Sequence, residues 1–279
     1  MKFRVLIPNF LTCMNLVCGC LGITFAINEN LTYSAILICV AAIFDFADGF
    51  AARMLHGGSE LGKQLDSLSD MVSFGVLPGI ILYQFIVISF KDYYVPFEKR
   101  EIVHILLSFT AFLVPVFSAL RLAKFNIDTR QGDRFLGLPT PANAIFIASF
   151  PLILGEQYDM NFYTPPQENV LKYFLQTGFF SRMDITVVQV LFNPYFYIAS
   201  AVILSALLVF EIPLLALKFK SWRWERNKTR YLLLIISVLL CSTVYYTGLF
   251  FLVIPIIFFL YLAISTVYYL IKKNSFFYS

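Results

Sequence analysis

Charge is scarce in this sequence. Only 14% of its 279 residues are Asp, Glu, Lys or Arg, against about 25% in soluble domains, which excludes an ordinary solvated surface. Histidine is scarcer still, with only His56 and His104 in the chain, and both are read as isolated. His56 lies near the aspartate motif described below, where it is expected to end a helix. The five cysteines, Cys13, Cys18, Cys20, Cys39 and Cys241, all lie in apolar segments and none has zinc-ligand spacing with histidine. Buried free thiols are expected instead. No internal repeat and no low-complexity segment is present. The apolar run from Met1 to Ala26 lacks a clear small-x-small cleavage site, so it is expected to be a first membrane span rather than a signal peptide.

What fills the chain is apolar. Hydrophobic residues make up 59%, the mean hydropathy is +0.76, and 31 Phe and 16 Tyr are available for core and interfacial belts. The pattern predicts an all-α integral membrane protein. Eight runs are long enough to cross about 30 Å of hydrocarbon, near 6–27, 32–55, 63–90, 103–124, 138–156, 191–217, 230–247 and 249–271. Pro78, Pro115, Pro213 and Pro255 fall inside runs and are expected to kink them. With the N-terminus taken as cytoplasmic, 16 of the 21 Lys and Arg fall on that side and 5 on the other, so both termini are expected inside. The net charge of +4 reflects this loop bias rather than nucleic-acid binding. The basic stretch Lys218 to Arg230, with two tryptophans, reads as an interfacial anchor on anionic lipid.

Against this background the carboxylates of Asp45 to Asp70, DFADGFAARMLHGGSELGKQLDSLSD, are conspicuous. A carboxylate at membrane depth costs roughly 2.5–3.5 kcal/mol on insertion scales, so four need an offsetting partner. Asp45 and Asp48 are spaced i, i+3, and Asp66 and Asp70 i, i+4, so on helices each pair projects from one face. Two such faces turned together make an oxygen cage that suits magnesium, manganese or calcium. Gly49 and Ala52 keep one wall small, and Arg53 supplies a fork-shaped phosphate donor on the same side. Gly57, Gly58 and Gly62 are expected to permit the reversal between the two faces. Carboxylates, metal and an arginine together point to phosphoryl transfer. A cation transporter also explains the aspartates, but not Arg53, whose guanidinium repels a bare cation. Pro8 is expected to open the first helix, with Asn9, Thr12 and Asn15 close to one polar stripe along it. Arg121 and Lys124 end the fourth run at its cytoplasmic face, where they suit an anion.

The pattern D-x2-D-G-x2-A-R-x8-G-x3-D-x3-D resembles the signature of the CDP-alcohol phosphatidyltransferase family, with Asp45, Asp48, Gly49, Ala52, Arg53, Gly62, Asp66 and Asp70 at its fixed positions. The stretches at 66–75, 121–126 and 135–142 look like the branch that takes serine as acceptor. The resemblance covers about the first 145 residues. It implies transfer of a phosphatidyl group from CDP-diacylglycerol to L-serine, with CMP leaving. Two divalent cations, Mg2+ or Mn2+, would be held by Asp45, Asp48, Asp66 and Asp70, with Asp70 also the catalytic base. Pro8, Asn9, Thr12, Gly49, Ala52, Arg53 and Ser59 would meet the nucleotide and its phosphates, and Arg121, Lys124 and Asn126 the acceptor. The same chemistry on glycerol 3-phosphate or inositol phosphate stays open, since Arg130 and Arg134 add basic residues. A catalytic core over 1–157, an outer loop over 158–190 and C-terminal helices over 191–279 are expected, in the cell membrane with the site at its cytoplasmic face. A homodimer is allowed.

Overall fold

The computed structural model describes residues 3–55, 57, 59–127, 134–158, 187, 189–215, 224–245 and 250–275. The N-terminal half holds α1 (Phe3–Ile27), α2 (Leu31–Met54), α3 (Glu60–Asp70), α4 (Leu77–Ser89), α5 (Ile102–Ser108) and α6 (Leu113–Ile127). Beyond them come β1 (Arg134–Leu136), α7 (Thr140–Tyr158), α8 (Pro194–Val209), β2 (Pro213–Leu215), α9 (Trp224–Tyr245) and α10 (Val253–Ser275). The described residues form an all-α membrane architecture apart from one short antiparallel strand pair. Among the described residues, five stretches are long and apolar enough to span a membrane: Arg4–Ile27, Leu31–Met54, Glu60–Ser89, Ile102–Ile127 and Phe250–Tyr269. Thr140–Gly155 and Pro194–Val209 are shorter apolar helices. In α9 the basic residues occupy the first turns, with a non-helical break at Asn227.

Glu60–Ser89 is the centre of the bundle. Of its most apolar window 61% is buried, against 22–33% for the other four spans. Phe74, Leu77, Ile81, Leu82 and Ile86 are fully enclosed. Its 30 residues would reach about 45 Å at 1.5 Å each, against a hydrocarbon thickness of about 30 Å. The surplus falls on the polar end, ELGKQLDSLSD, which places Asp66 and Asp70 near the membrane boundary.

Three of the expected proline kinks are local changes of helix type. A proline removes the hydrogen bond to the carbonyl four residues back and crowds it. For Pro78 that residue is Phe74, inside a π-helical turn over Met71–Val76. For Pro115 it is Ala111, inside a 3-10 turn over Phe109–Phe112, and for Pro255 it is Phe251, inside another over Phe250–Leu252. Pro213 does not kink a span. The helix ends at Val209, and Pro213 opens β2 opposite Leu136 at the end of the pair, where no N–H is needed.

The strand pair straps the bundle. Arg134, Phe135 and Leu136 face Leu215, Leu214 and Pro213. Gly137 follows at φ +79° and donates its N–H to the Ile212 carbonyl at 3.0 Å. From the C-terminal side, Leu215 donates its N–H to Ser265 Oγ at 3.3 Å and accepts from the Tyr261 hydroxyl at 3.0 Å.

Two further expectations need correction. All five cysteines are free, but Cys13 and Cys20 are exposed on α1. They share that surface with Phe10, Val17 and Leu21, a composition that suits lipid rather than a core. His104 is not isolated, because its Nδ1 lies 2.8 Å from Asp92 and its ring stacks on Phe90 at 4.1 Å.

Candidate active site

Three of the four aspartates converge, and Asp70 stands apart from them. One oxygen each from Asp45 and Asp48 on α2 and Asp66 on α3 lie within 4.8 Å of one another. Local structure sets this up. Ser59 caps α3 by accepting the Gly62 N–H at 3.0 Å, which fixes the helix start at Glu60 and brings Asp66 round toward α2. Gly62 therefore sits in the first turn of α3 rather than in the reversal. It is small for a packing reason, since a Cβ there would stand 2.9 Å from Asn9 Oδ1.

The reversal rests on α1. Pro8 lies inside that helix rather than opening it, so the Arg4 carbonyl has no N–H four residues on. Gly57 packs its backbone on that carbonyl, and a Cβ at 57 would collide with Arg4 O. Gly57→Ala is expected to destabilise the fold by about 1–3 kcal/mol, the range for overpacking, as a lower midpoint in thermal unfolding.

The polar stripe on α1 faces the aspartates. Thr12 donates its hydroxyl to Asp48 Oδ2 at 2.6 Å, and Asn15 donates Nδ2 to Asp70 Oδ1 at 3.1 Å. The same two residues accept through their backbone, from Ser69 Oγ at 3.1 Å and Ser73 Oγ at 3.0 Å. Three of these bonds lock α1 to the junction of α3 and the π-turn, and the Thr12–Asp48 bond ties it to α2. Asn15 belongs to the site through Asp70, a role that its place on the stripe hints at but does not specify.

A cation fits here. Three carboxylates converge, Asp66 Oδ1 is buried with no hydrogen-bond partner among the described residues, and no Lys or Arg among them pairs with the trio. A donor set of carboxylate oxygens selects a hard divalent ion. Asp70 stands one turn beyond Asp66, outside the tight trio and within electrostatic range of Asp45 and Asp66. Arg53 is exposed in the last turn of α2 and folds back over Gly49, where a Cβ would stand 3.6 Å from its Nη1. Ala52 is half-buried beside it, and Pro8 and Asn9 are buried, with Asn9 Oδ1 against Gly62. His56, Gly58 and Arg130 lie outside the described residues, as does the side chain of Arg134.

The three acceptor candidates have different surroundings. Arg121 is buried, donates from Nη1 to Thr140 Oγ1 at 3.3 Å, and has no partner for Nε among the described residues. Its charge is attracted to Asp70. Lys124 is half-exposed and pairs with Glu211 at 2.6 Å. Asn126 donates to Ser67 Oγ at 2.8 Å, and its carbonyl accepts from Lys63 at 3.2 Å. Both tie the end of α6 to its neighbours.

The model of one protein family, CDP-alcohol phosphatidyltransferase, matches residues 5–209. The chain belongs to the CDP-alcohol phosphatidyltransferase family. Among its relatives, archaetidylserine synthase of Methanothermobacter thermautotrophicus is 35% identical over 153 residues, 53% of this chain and 58% of that protein. CDP-diacylglycerol–serine O-phosphatidyltransferase of Bacillus subtilis is 35% identical over 154 residues, 53% of this chain and 80% of the relative. Its namesake in Helicobacter pylori strain J99 is 31% identical over 193 residues, 68% and 73% of the two chains. The CDP-alcohol phosphatidyltransferase match includes all four aspartates, Arg53 and Arg121.

Proposed function

We propose that this chain transfers the phosphatidyl group of CDP-diacylglycerol to the hydroxyl of L-serine, giving phosphatidylserine and CMP. The observation that carries the reading is the convergence of Asp45, Asp48 and Asp66 with Asp70 one turn on and Arg53 exposed alongside. Serine is the acceptor named in the Bacillus and Helicobacter relatives. Asp45, Asp48, Asp66 and Asp70 would hold two divalent cations, Mg2+ or Mn2+, which supply charge neutralisation for the diphosphate.

The protein's own residues do the rest. Arg53 binds the phosphates, and Gly49 leaves room for their approach. Ser59 uses its oxygen as the cap of α3 and keeps its proton to donate to a phosphate oxygen. Asn9 meets the cytidine, while Thr12 orients Asp48. Asn15 holds Asp70 Oδ1, which leaves Oδ2 to take the serine hydroxyl proton. The serine oxygen forms the new bond to the lipid-linked phosphorus. The bond from phosphorus to the CMP oxygen breaks, and CMP leaves with that electron pair. Arg121 binds the serine carboxylate. By the distribution of Lys and Arg, this end of the bundle is cytoplasmic, where a nucleotide-bearing lipid is met.

The test is CMP release by purified protein in detergent, with CDP-diacylglycerol and Mn2+ or Mg2+, with and without L-serine. Serine-dependent release is the expected result. Release that requires glycerol 3-phosphate or inositol phosphate instead would overturn the acceptor. No release with any alcohol, in folded protein that carries divalent ions across a liposome membrane, would overturn the reaction itself.

A further inference from the structure

Asn143 is the least explained polar residue in the described part of the molecule. It is fully buried on α7, and neither its Nδ2 nor its Oδ1 has a hydrogen-bond partner. A buried amide left without partners costs its full desolvation. It stands one helical turn after Thr140, so the two share a face of α7, and Thr140 receives the Arg121 hydrogen bond. On α6 the same region holds two more buried, unpartnered donors. They are Arg121 Nε and, one turn earlier, the Ser118 hydroxyl. A Cβ on Gly75, in the π-turn just past Asp70, would stand 3.2 Å from Ser118 Cβ, so the α6 face packs directly on the segment that follows Asp70. Unsatisfied donors and one unsatisfied amide oxygen thus lie on α6 and α7, on faces joined to each other by the Arg121–Thr140 bond and to the π-turn after Asp70 by the packing of Ser118 on Gly75.

We propose that Asn143 is the residue that selects an α-amino acid as acceptor, pairing through its amide with the carboxylate that Arg121 binds and with the neighbouring ammonium. An amide offers both a donor and an acceptor, the two functions that a carboxylate and an ammonium require. Where the ammonium would sit, the phosphate group of a phosphorylated alcohol offers acceptors only and leaves the amide oxygen without a donor. The inference rests on the serine reading above.

The test uses Asn143→Leu, which keeps the volume and removes both polar atoms. Loss of an unpaired buried amide is expected to leave the melting temperature unchanged or raised without serine. The KM for L-serine is expected to rise by about tenfold or more, the effect of losing one hydrogen bond to a charged group. The KM for CDP-diacylglycerol stays within about twofold. The rise in melting temperature that L-serine gives the wild type with cation and CDP-diacylglycerol bound is lost. Asn143→Asp, which keeps the acceptor and repels a carboxylate, is the companion. It is expected to narrow the preference for serine over ethanolamine, and it serves alone if the leucine variant does not fold. A serine KM within threefold of wild type in a folded variant overturns the proposal, as does an Asn143→Leu protein that melts lower and loses both substrates together, the mark of a structural residue. Wild-type protein that neither turns over nor is stabilised by serine would overturn the serine reading itself, so the two failures are distinct.

Discussion

Asp70→Asn is expected to lower turnover by about 100- to 10,000-fold, the usual contribution of a positioned general base, while CDP-diacylglycerol still binds. The substitution preserves shape. The new amide oxygen can accept from Asn15 Nδ2 as Asp70 Oδ1 does now, so the lock between α1 and the π-turn survives. What is lost is the ability of the second oxygen to take a proton. Asp45, Asp48 and Asp66 still converge without Asp70, which is why binding of the cation-bearing lipid is expected to outlast catalysis. The measurement is kcat and KM from CMP release, together with the thermal shift that CDP-diacylglycerol produces with Mn2+ present. Turnover near wild type would remove Asp70 from the proton-transfer role. Equal loss of binding and turnover would make it chiefly a ligand.

Much of this site was legible as spacing. The i, i+3 and i, i+4 pairs separate the two carboxylate faces whatever the rest of the fold does, because helical geometry alone decides them. The stripe of Asn9, Thr12 and Asn15 was legible as a polar face but not as a set of partners. Which aspartate Thr12 or Asn15 meets depends on how α1 packs on α2 and α3, and that is a tertiary fact. Pro8 misled because a proline near a polar stripe reads as a helix start, whereas here it opens a carbonyl inside the helix for Gly57 to approach. The π-turn after Asp70 was half legible. Pro78 announces a disturbance four residues back, but a uniform apolar run does not say whether it will be a kink, a 3-10 turn or a π-turn. The strand pair was hidden for another reason. Leu214, Leu215 and Pro213 read as the tail of a membrane span, and only their pairing with Arg134 to Leu136 shows otherwise. The role of Asn143 was invisible, since an amide in an apolar helix carries no sign of being unpartnered.

Removing divalent cations with a chelator is expected to take activity to background, and Asp66→Asn is expected to weaken the restoring Mn2+ or Mg2+ titration by about tenfold or more. Losing a supporting contact typically costs about 10–100-fold in metal sites, so losing a ligand is expected to cost at least as much. Stability should move the other way. Without a cation the trio is three like charges converging in a half-buried place, so neutralising one relieves repulsion. Asp66→Asn and Asp48→Asn are therefore expected to melt at or above the wild-type temperature in chelator, and to gain less when the cation is added. At 100-fold excess over its dissociation constant, a cation bound only to the folded state adds about 2.7 kcal/mol, a shift well within reach of a thermal scan. Asp48 adds a control, because Thr12 already donates to its Oδ2. Thr12→Val removes that donor without touching a ligand, and it should weaken the titration less than either aspartate variant. A metal titration unchanged in Asp66→Asn, or full activity in chelator, would separate the carboxylate trio from cation binding. The convergence would then need another explanation for three acids of which, among the described residues, only Asp48 has neutral donors, from Thr12 and the Gly49 N–H.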